Sequence, residues 1–169
     1  LAWMALEWMR YRKPSVLGIV TGMVAGLGTI TPASGHVGPM GALIIGLSAG
    51  VICYFSTQLI KRKLHIDDSL DVFPVHGVGG VLGTMAVGVF AFTAGGINQP
   101  AEGADVVGPM MSQLGTQAIG VIATAVWCGI LTWIILKVVD LLVGVRVSEE
   151  EETEGLDHVC HDETGYNDI

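Results

Sequence analysis

The stretch DDSLDVFPVHGVGG, residues 67–80, is the most informative part of this chain. It runs from an acidic turn into an apolar, glycine-rich segment that reaches about residue 92 and is long enough to cross a bilayer. His76 therefore lies inside a membrane-spanning segment. An ionisable side chain there is costly and usually faces a pathway or a buried partner. A histidine that only hydrogen-bonds to a neighbouring helix is the alternative, and the residue alone favours neither.

The rest of the chain has the composition of a membrane protein. Hydrophobic residues make up 51% of it and charged residues only 14%, where a water-soluble domain carries about a quarter. The apolar runs are too long for strands and show no sustained alternation. The sequence thus predicts an all-α, polytopic helical bundle within residues 1–146. The end of one helix lies at 1–10, and four spanning helices follow at about 15–33, 39–60, 70–92 and 114–139.

The positions of the basic residues predict the topology. All eight lie near three connections, at residues 10–13, at 61–63 and at Lys137 with Arg146, and none lies in the two intervening connections. With four spanning helices, every basic cluster falls on one side, which is the cytoplasmic side. We therefore expect a multi-pass protein of the cell membrane, embedded in the lipid bilayer, with a cytoplasmic C-terminus.

The net charge of −8 comes from a tail, residues 147–169. Nine of the sixteen acidic residues follow Arg146, so the membrane region is nearly neutral, and an acidic tail argues against nucleic acid as a partner. The tail also holds His158, Cys160 and His161, but a structural metal site needs about four fixed ligands. We expect neither a metal nor a cofactor, and no disulfide among the three cysteines.

The carboxylates before the histidine predict a helix start. Asp68 and Ser69 are placed to cap free N–H groups, and Asp71 lies five residues before His76. Pro74 is tolerated only if the helix begins close to it, because an interior proline removes a hydrogen bond and clashes.

Val72 and His76 lie four residues apart and so share one helix face, which Gly80 and Gly83 are predicted to continue. A histidine flanked by an aliphatic side chain and bare glycine would look into a narrow, apolar lumen. No ring of carbonyls or charges is present to replace the water around a permanent ion. A neutral imidazole donates through one nitrogen and accepts through the other, which suits a weak base, a small neutral molecule or a proton.

Residues 67–80 resemble a signature of the ammonium transporter family, the Amt, Mep and Rh proteins. The resemblance extends over nearly the whole chain and is specific to the Amt branch. GTITPASG at residues 28–35 and GALIIG at 41–46 look like two further helices of that family, and VGVRVSEEEE at 143–152 with EGLD at 154–157 looks like its cytoplasmic tail.

The resemblance implies a trimer of subunits with about eleven helices each, in two inverted repeats around a pore. Ammonium would lose its proton and cross the apolar section as ammonia, with potassium excluded. His76 matches one of two facing pore histidines, Val72 and Thr31 match pore-lining positions, and Phe73 lies beside the pore. Asp71 and Asp68 would support the pore entry.

The family's first half, which holds the other histidine, the aromatic gate and the outer cation site, has no counterpart here. We therefore expect the chain to be the C-terminal part of a transporter used in nitrogen utilisation, unable to conduct alone. The resemblance also implies that the tail packs on a neighbouring subunit and couples to a PII-type nitrogen-regulatory protein. The candidates for that docking are Arg146, Glu150, Gly155 and Asp157.

Three other functions are alternatives to transport. An ammonium sensor that signals through its tail belongs to the same superfamily. An intramembrane hydrolase using His76 and Asp71 would need a second metal ligand or a nucleophile at helical spacing, and the sequence has none. A purely structural membrane subunit would leave the buried histidine and the loop carboxylates without a role.

Overall fold

The computed structural model describes residues 1–164, and the last five residues of the predicted tail lie outside that range. No strand occurs within these residues. Four segments are long and apolar enough to cross a membrane, which confirms the all-α, polytopic class. The helices are α1 (Ala2–Tyr11), α2 (Val16–Ile30), α3 (Pro39–Gln58), α4 (Gly79–Phe90), α5 (Val107–Val143), α6 (Glu149–Glu154) and α7 (Leu156–His161).

Short irregular turns extend three of these helices. A 3₁₀ turn, Thr31–Ala33, continues α2; a π-helical turn, Leu59–Lys63, continues α3; and a second one, Phe73–Val78, leads directly into α4. The sequence predicts the fourth spanning helix from about residue 114, yet α5 already begins at Val107. Its start is stabilised by Asp105, whose carboxylate accepts the Val107 N–H at 3.1 Å. Pro109, in the first turn, removes no intrahelical hydrogen bond.

The chain divides into two compact units, residues 1–122 and 123–169. In the first unit, α2, α3 and α4 pack on one another and α1 packs on α2 and α3. One core cluster contains Trp3, Ala25, Cys53, Tyr54 and Val75, and a second contains Ala33, Ile45, Val87 and Ala91.

Glycines allow the close approach of these helices. A Cβ at Gly83 would collide with the Thr29 carbonyl oxygen, and one at Gly79 would lie 2.7 Å from Thr29 Oγ1. Gly22 similarly contacts Trp3, because a Cβ there would lie 2.5 Å from the Trp3 Cβ. The glycine spacing in the sequence therefore reflects helix packing, as expected where packing replaces the hydrophobic effect.

Polar contacts fix one end of the first unit. The Glu7 carboxylate accepts the Ser15 N–H at 2.8 Å and the Trp3 indole N–H at 3.3 Å, which ties α1 to the start of α2. Arg62 donates to the Tyr11 hydroxyl at 3.1 Å. The basic cluster at residues 61–63 thus lies beside the end of α1, where the cluster at 10–13 begins. These two basic clusters share one end of the unit.

The second unit contains the rest of α5 followed by α6 and α7. Helix α6 begins with a capping box: Ser148 Oγ accepts the Glu151 N–H at 3.3 Å, and the Glu151 carboxylate accepts the Ser148 N–H at 2.8 Å. None of the α5 residues is buried within residues 1–164.

Candidate functional site

His76 lies in the π-helical turn Phe73–Val78 that precedes α4. In a π turn each N–H bonds to the carbonyl five residues back, which inserts an extra residue and re-aims the side chains that follow. Such turns are rare and occur frequently at functional sites. The turn therefore separates the register of the His76 segment from that of α4.

Asp68 fixes where this segment begins. Its two carboxylate oxygens accept the N–H groups of Val72 at 2.8 Å and Phe73 at 2.9 Å. Pro74 follows immediately, where its missing N–H costs no hydrogen bond. Ser69 does not cap the segment as expected; its hydroxyl donates to Asp67 at 3.2 Å, so the capping falls to Asp68 alone.

Asp71 is held in an unusual conformation. Its φ is +56°, in the left-handed region that non-glycine residues rarely occupy, and its side chain is only 17% exposed. The Lys61 Nζ lies 2.8 Å from Asp71 Oδ1 and 3.4 Å from the Ser69 carbonyl oxygen. Lys61 therefore connects the end of α3 to the turn that carries the histidine.

The His76 side chain lies on an exposed side of the first unit, beside α2. Its Nδ1 lies 3.7 Å from the position that a Cβ at Gly28 would occupy. Thr31 follows Gly28 by three residues, at the start of the 3₁₀ turn that continues α2, and so lies on the same side. Because Gly28 has no side chain, it leaves room for the imidazole within one helical turn of Thr31. The Thr31 hydroxyl donates to the Leu27 carbonyl at 2.7 Å.

The two remaining pore candidates are also uncovered. Val72 is 53% and Phe73 62% exposed, although both belong to an apolar segment. The Phe73 ring folds over Gly77, where an added Cβ would lie 2.8 Å from Phe73 Cδ2. The described residues therefore leave this apolar face with its histidine open.

The predicted continuation of this face by two glycines is half wrong. Gly80 has nothing within 4 Å of its Cβ position and lies in open space. Gly83 is buried and packs on the backbone of Thr29. Gly80 and Gly83 are three residues apart in the regular helix α4, so their directions differ by about 60°, and only Gly83 is directed at Thr29.

Two residues that matter to this geometry were missed at the level of sequence. Gly28 belongs to a segment that resembles the family, but no local pattern indicates that it neighbours His76. The sequence identifies Lys61 only as one of the basic residues that mark the cytoplasmic side. Its position ten residues before Asp71, across a turn, gave no signal of an ion pair.

The tail residues proposed for regulation do not form one cluster. Arg146 pairs with Glu152 at 2.9 Å rather than with Glu150. Gly155 separates α6 from α7 with φ +113°, which strongly favours glycine, and Asp157 follows in the first turn of α7. The hydrogen bond from the Ser148 N–H lowers the pKa of Glu151, and a smaller contribution comes from the Ser148 hydroxyl. Within residues 1–164 no three His, Cys, Asp or Glu side chains are placed to share a metal ion.

Comparison with known sequences gives a consistent result. The sequence profile of the Ammonium Transporter Family matches residues 1–166. An ammonium transporter of Aquifex aeolicus is 48% identical over 99% of this chain, and one of Bacillus subtilis is 40% identical over 98%. Ammonium transporter 1 of Dictyostelium discoideum is 42% identical over 93%. The chain spans 38%, 40% and 33% of these three relatives, respectively.

Comparison with solved structures gives similar folds. A structure titled Sensor Amt Protein superimposes with a TM-score of 0.80 at 32% identity, over 95% of this chain and 38% of that one. Mep2 of Candida albicans gives a TM-score of 0.72 at 34% identity, over 89% of this chain and 34% of that one.

Proposed function

The chain belongs to the ammonium transporter family, a family of transporters and not of enzymes, and from this we propose that it forms part of a transmembrane pathway for ammonium. Its pore-lining residues are His76, Val72, Thr31 and Phe73. The chain spans only about a third of its curated relatives, so the remaining wall of the pathway is supplied by other residues of a full-length transporter.

The observation that carries this proposal is the open apolar face around His76. An ionisable side chain in a spanning segment is tolerated when it faces a pathway or a partner. The imidazole lies beside Gly28 and within a turn of Thr31, and no described residue covers it. A packing histidine would instead be enclosed by the helices of its own unit.

The chemistry of this face suits ammonia better than a permanent cation. Val72 and Phe73 offer no oxygen to replace the hydration shell of an ion. The imidazole of His76 can donate or accept one hydrogen bond through each nitrogen. Ammonium therefore transfers its proton to water before the apolar section and passes as ammonia, with the proton conveyed separately, whereas potassium has no proton to lose and is excluded.

The assembled transporter is a homotrimer in this proposal. Helix α5 supports it, because 37 consecutive helical residues present no buried side chain in the described chain. A long helix with so many exposed apolar side chains requires lipid or another subunit to cover it. Native mass spectrometry of the full-length protein in detergent is expected to give three times the subunit mass, and a monomer at all concentrations would contradict the trimer.

The C-terminus lies in the cytoplasm of a cell-membrane protein in this proposal. The shared end of the first two basic clusters supports it, since basic residues mark the cytoplasmic side. Cys160 is an exposed thiol in α7 and so provides a natural probe. A membrane-impermeant maleimide is expected to label Cys160 in inside-out vesicles and not in intact cells; the reverse pattern would place the tail outside.

The tail is a regulatory element that a PII-type nitrogen-regulatory protein contacts at the cytoplasmic face. Helices α6 and α7 are joined at Gly155 and give this segment a defined shape. Arg146 precedes α6, and Asp157 lies in the first turn of α7. Glu150 in the first turn of α6 supplies charge for a partner. Loss of PII co-purification in an Arg146→Ala and Asp157→Ala double variant is the expected result, and unchanged co-purification would remove these residues from the docking surface.

Transport is favoured over sensing. The three curated relatives described above are 40–48% identical and are all named ammonium transporters, whereas the sensor structure is 32% identical. The fold is common to both and does not separate them.

Uptake of radiolabelled methylammonium tests the proposal. The full-length protein is expressed in cells that lack their own ammonium uptake, and excess ammonium or potassium is added as a competitor. Saturable uptake that ammonium suppresses and potassium does not is the expected result. Absence of uptake, with the protein present in the membrane, would contradict transport and favour the sensor.

A further inference from the structure

We propose that Lys61 is a positioning residue for the histidine-bearing segment: its ion pair with Asp71 sets the turn from which His76 projects. This inference rests on the proposed function, because it concerns the pathway that His76 lines. It assigns to Lys61 a role beyond that of a positive charge marking the cytoplasmic side.

The first support is the isolation of the Asp71 carboxylate oxygen. Asp71 Oδ1 is buried, and within residues 1–164 its polar contact is the ammonium group of Lys61, at 2.8 Å. A buried carboxylate without a partner is strongly unfavourable. Removal of the Lys61 amine would therefore force the Asp71 side chain to move towards water.

The second support is the backbone of Asp71. Its φ of +56° is sparsely populated by aspartate and persists only where the surroundings impose it. Lys61 also reaches the Ser69 carbonyl oxygen at 3.4 Å, so its amine contacts the turn at two points. The same turn offers the Asp71 carbonyl oxygen to the Val75 N–H at 3.0 Å. A shift of Asp71 would thus be transmitted to the residue beside His76.

The third support is where Lys61 is anchored. It belongs to the π-helical turn Leu59–Lys63 that ends α3, and Asp71 lies two residues before the π-helical segment that contains His76. The ion pair therefore joins the irregular end of α3 to the turn before the irregular segment that carries His76. The neighbouring residue Ile60 is buried, which fixes the Lys61 backbone.

The surroundings keep this ion pair polar. Lys61 and Asp71 line a pocket of about 200 Å³ together with Glu7, Thr57 and Gln58. Thr57 Oγ1 and Gln58 Oε1 are buried and have no hydrogen-bond partner in the described part of the chain. Buried polar atoms of this kind are normally satisfied by water. The other carboxylate of the pocket, Glu7, accepts from Ser15 and Trp3, so the Lys61 amine pairs with Asp71.

The test compares Lys61→Met with Lys63→Met in the full-length protein. Lys63 belongs to the same basic cluster, but its side chain makes no ion pair or hydrogen bond within residues 1–164. Both changes remove one positive charge from one loop. Methylammonium uptake per molecule in the membrane is measured for both, together with its KM and its inhibition by potassium. Lys61→Arg and the exchange Lys61→Asp with Asp71→Lys test rescue.

Lys61→Met is expected to lower uptake by about tenfold and to change KM or the discrimination against potassium. This loss is smaller than the roughly 100-fold that a 1 Å misplacement can cost. Lys63→Met is expected to behave as wild type, and Lys61→Arg to recover most of the loss. A purely structural role would lower only the amount of folded protein and leave KM and selectivity unchanged, which would overturn the proposal.

Normal uptake by Lys61→Met would also overturn it while leaving transport intact. Equal losses in Lys61→Met and Lys63→Met would mean that only loop charge matters, and would overturn it as well. Absence of uptake in the wild-type protein would instead remove the proposed function, and this inference with it.

Discussion

Gly83 shows how a single missing side chain determines the packing of the first unit. The Cβ of any other residue at this position would collide with the Thr29 carbonyl oxygen, an atom of the backbone that cannot rotate away. Gly80, three residues earlier in the same helix, has nothing within 4 Å of its Cβ position. Neighbouring glycines of α4 therefore serve different purposes.

Gly83→Val is expected to destabilise the folded protein by about 1–3 kcal/mol, the usual cost of overpacking a close contact. Gly80→Ala is the control and is expected to leave the unfolding temperature nearly unchanged. The measurement is thermal unfolding of the detergent-solubilised, full-length protein followed by tryptophan fluorescence. Equal unfolding temperatures for Gly83→Val and wild type would show that α2 and α4 are not in contact there.

At this scale, the identity of the key residue could be predicted but its neighbours could not. His76 stands out in sequence because its chemistry conflicts with an apolar segment. Its proximity to Gly28 depends on how α2 and the π turn cross, which no local pattern encodes. The Lys61–Asp71 ion pair is similarly a product of chain folding, since its two residues lie ten apart on different elements.

The helices could largely be predicted from the sequence, because the length of an apolar run and the residues that start a helix are local properties. Asp68 precedes the histidine segment and caps it, as a carboxylate at that position should. The π turn was not predictable, since Phe73–Val78 has no feature that distinguishes an i→i+5 from an i→i+4 pattern. The early start of α5 follows from its cap by Asp105, and the different contacts of Gly80 and Gly83 follow from how α4 packs on α2.

Helix α6 should respond to acid through Glu151. The Ser148 N–H and hydroxyl stabilise the ionised carboxylate, so the pKa of Glu151 is lowered in the folded tail. Because that pKa is lowered, the contribution of this pair to α6 is present above the ordinary glutamate pKa. It is lost as the pH falls through the lowered value.

The pKa of Glu151 is measured by NMR titration of its side-chain carboxyl carbon. Ser148→Pro removes the N–H that makes the largest contribution, and the midpoint is expected to move up towards the ordinary glutamate value. Identical midpoints in Ser148→Pro and the wild-type protein would mean that the capping box does not form.

The junction between α6 and α7 depends on Gly155. Its φ of +113° is accessible to glycine and strained for other residues, so Gly155→Ala is expected to cost about 1–3 kcal/mol locally. Amide hydrogen exchange should then quicken across residues 149–161 of the full-length protein. Thr153→Ala, a helix-compatible change within α6, is the control. Unchanged exchange in Gly155→Ala would show that the junction does not need this conformation.

At the scale of the whole molecule, the open face around His76 and the uncovered helix α5 have a common explanation. Both surfaces are apolar, and both lack a covering layer among the described residues. A chain that spans about a third of its relatives would bury them against the rest of a transporter and against lipid. The family, the fold class and the presence of four spanning segments could be predicted from sequence, because they depend on motifs and on apolar length, whereas contacts with other chains do not.

The central claim is that His76 lines the ammonium pathway, and one comparison tests it most directly. Methylammonium uptake is measured for the full-length wild type, His76→Ala and His36→Ala at equal amounts in the membrane. His36 is exposed in the connection between α2 and α3, where its Nδ1 lies 3.0 Å from the Ser34 carbonyl oxygen, and it is not among the proposed pathway residues. The account predicts that His76→Ala loses uptake or its selectivity against potassium while His36→Ala retains both. Wild-type uptake and selectivity in His76→Ala would contradict it.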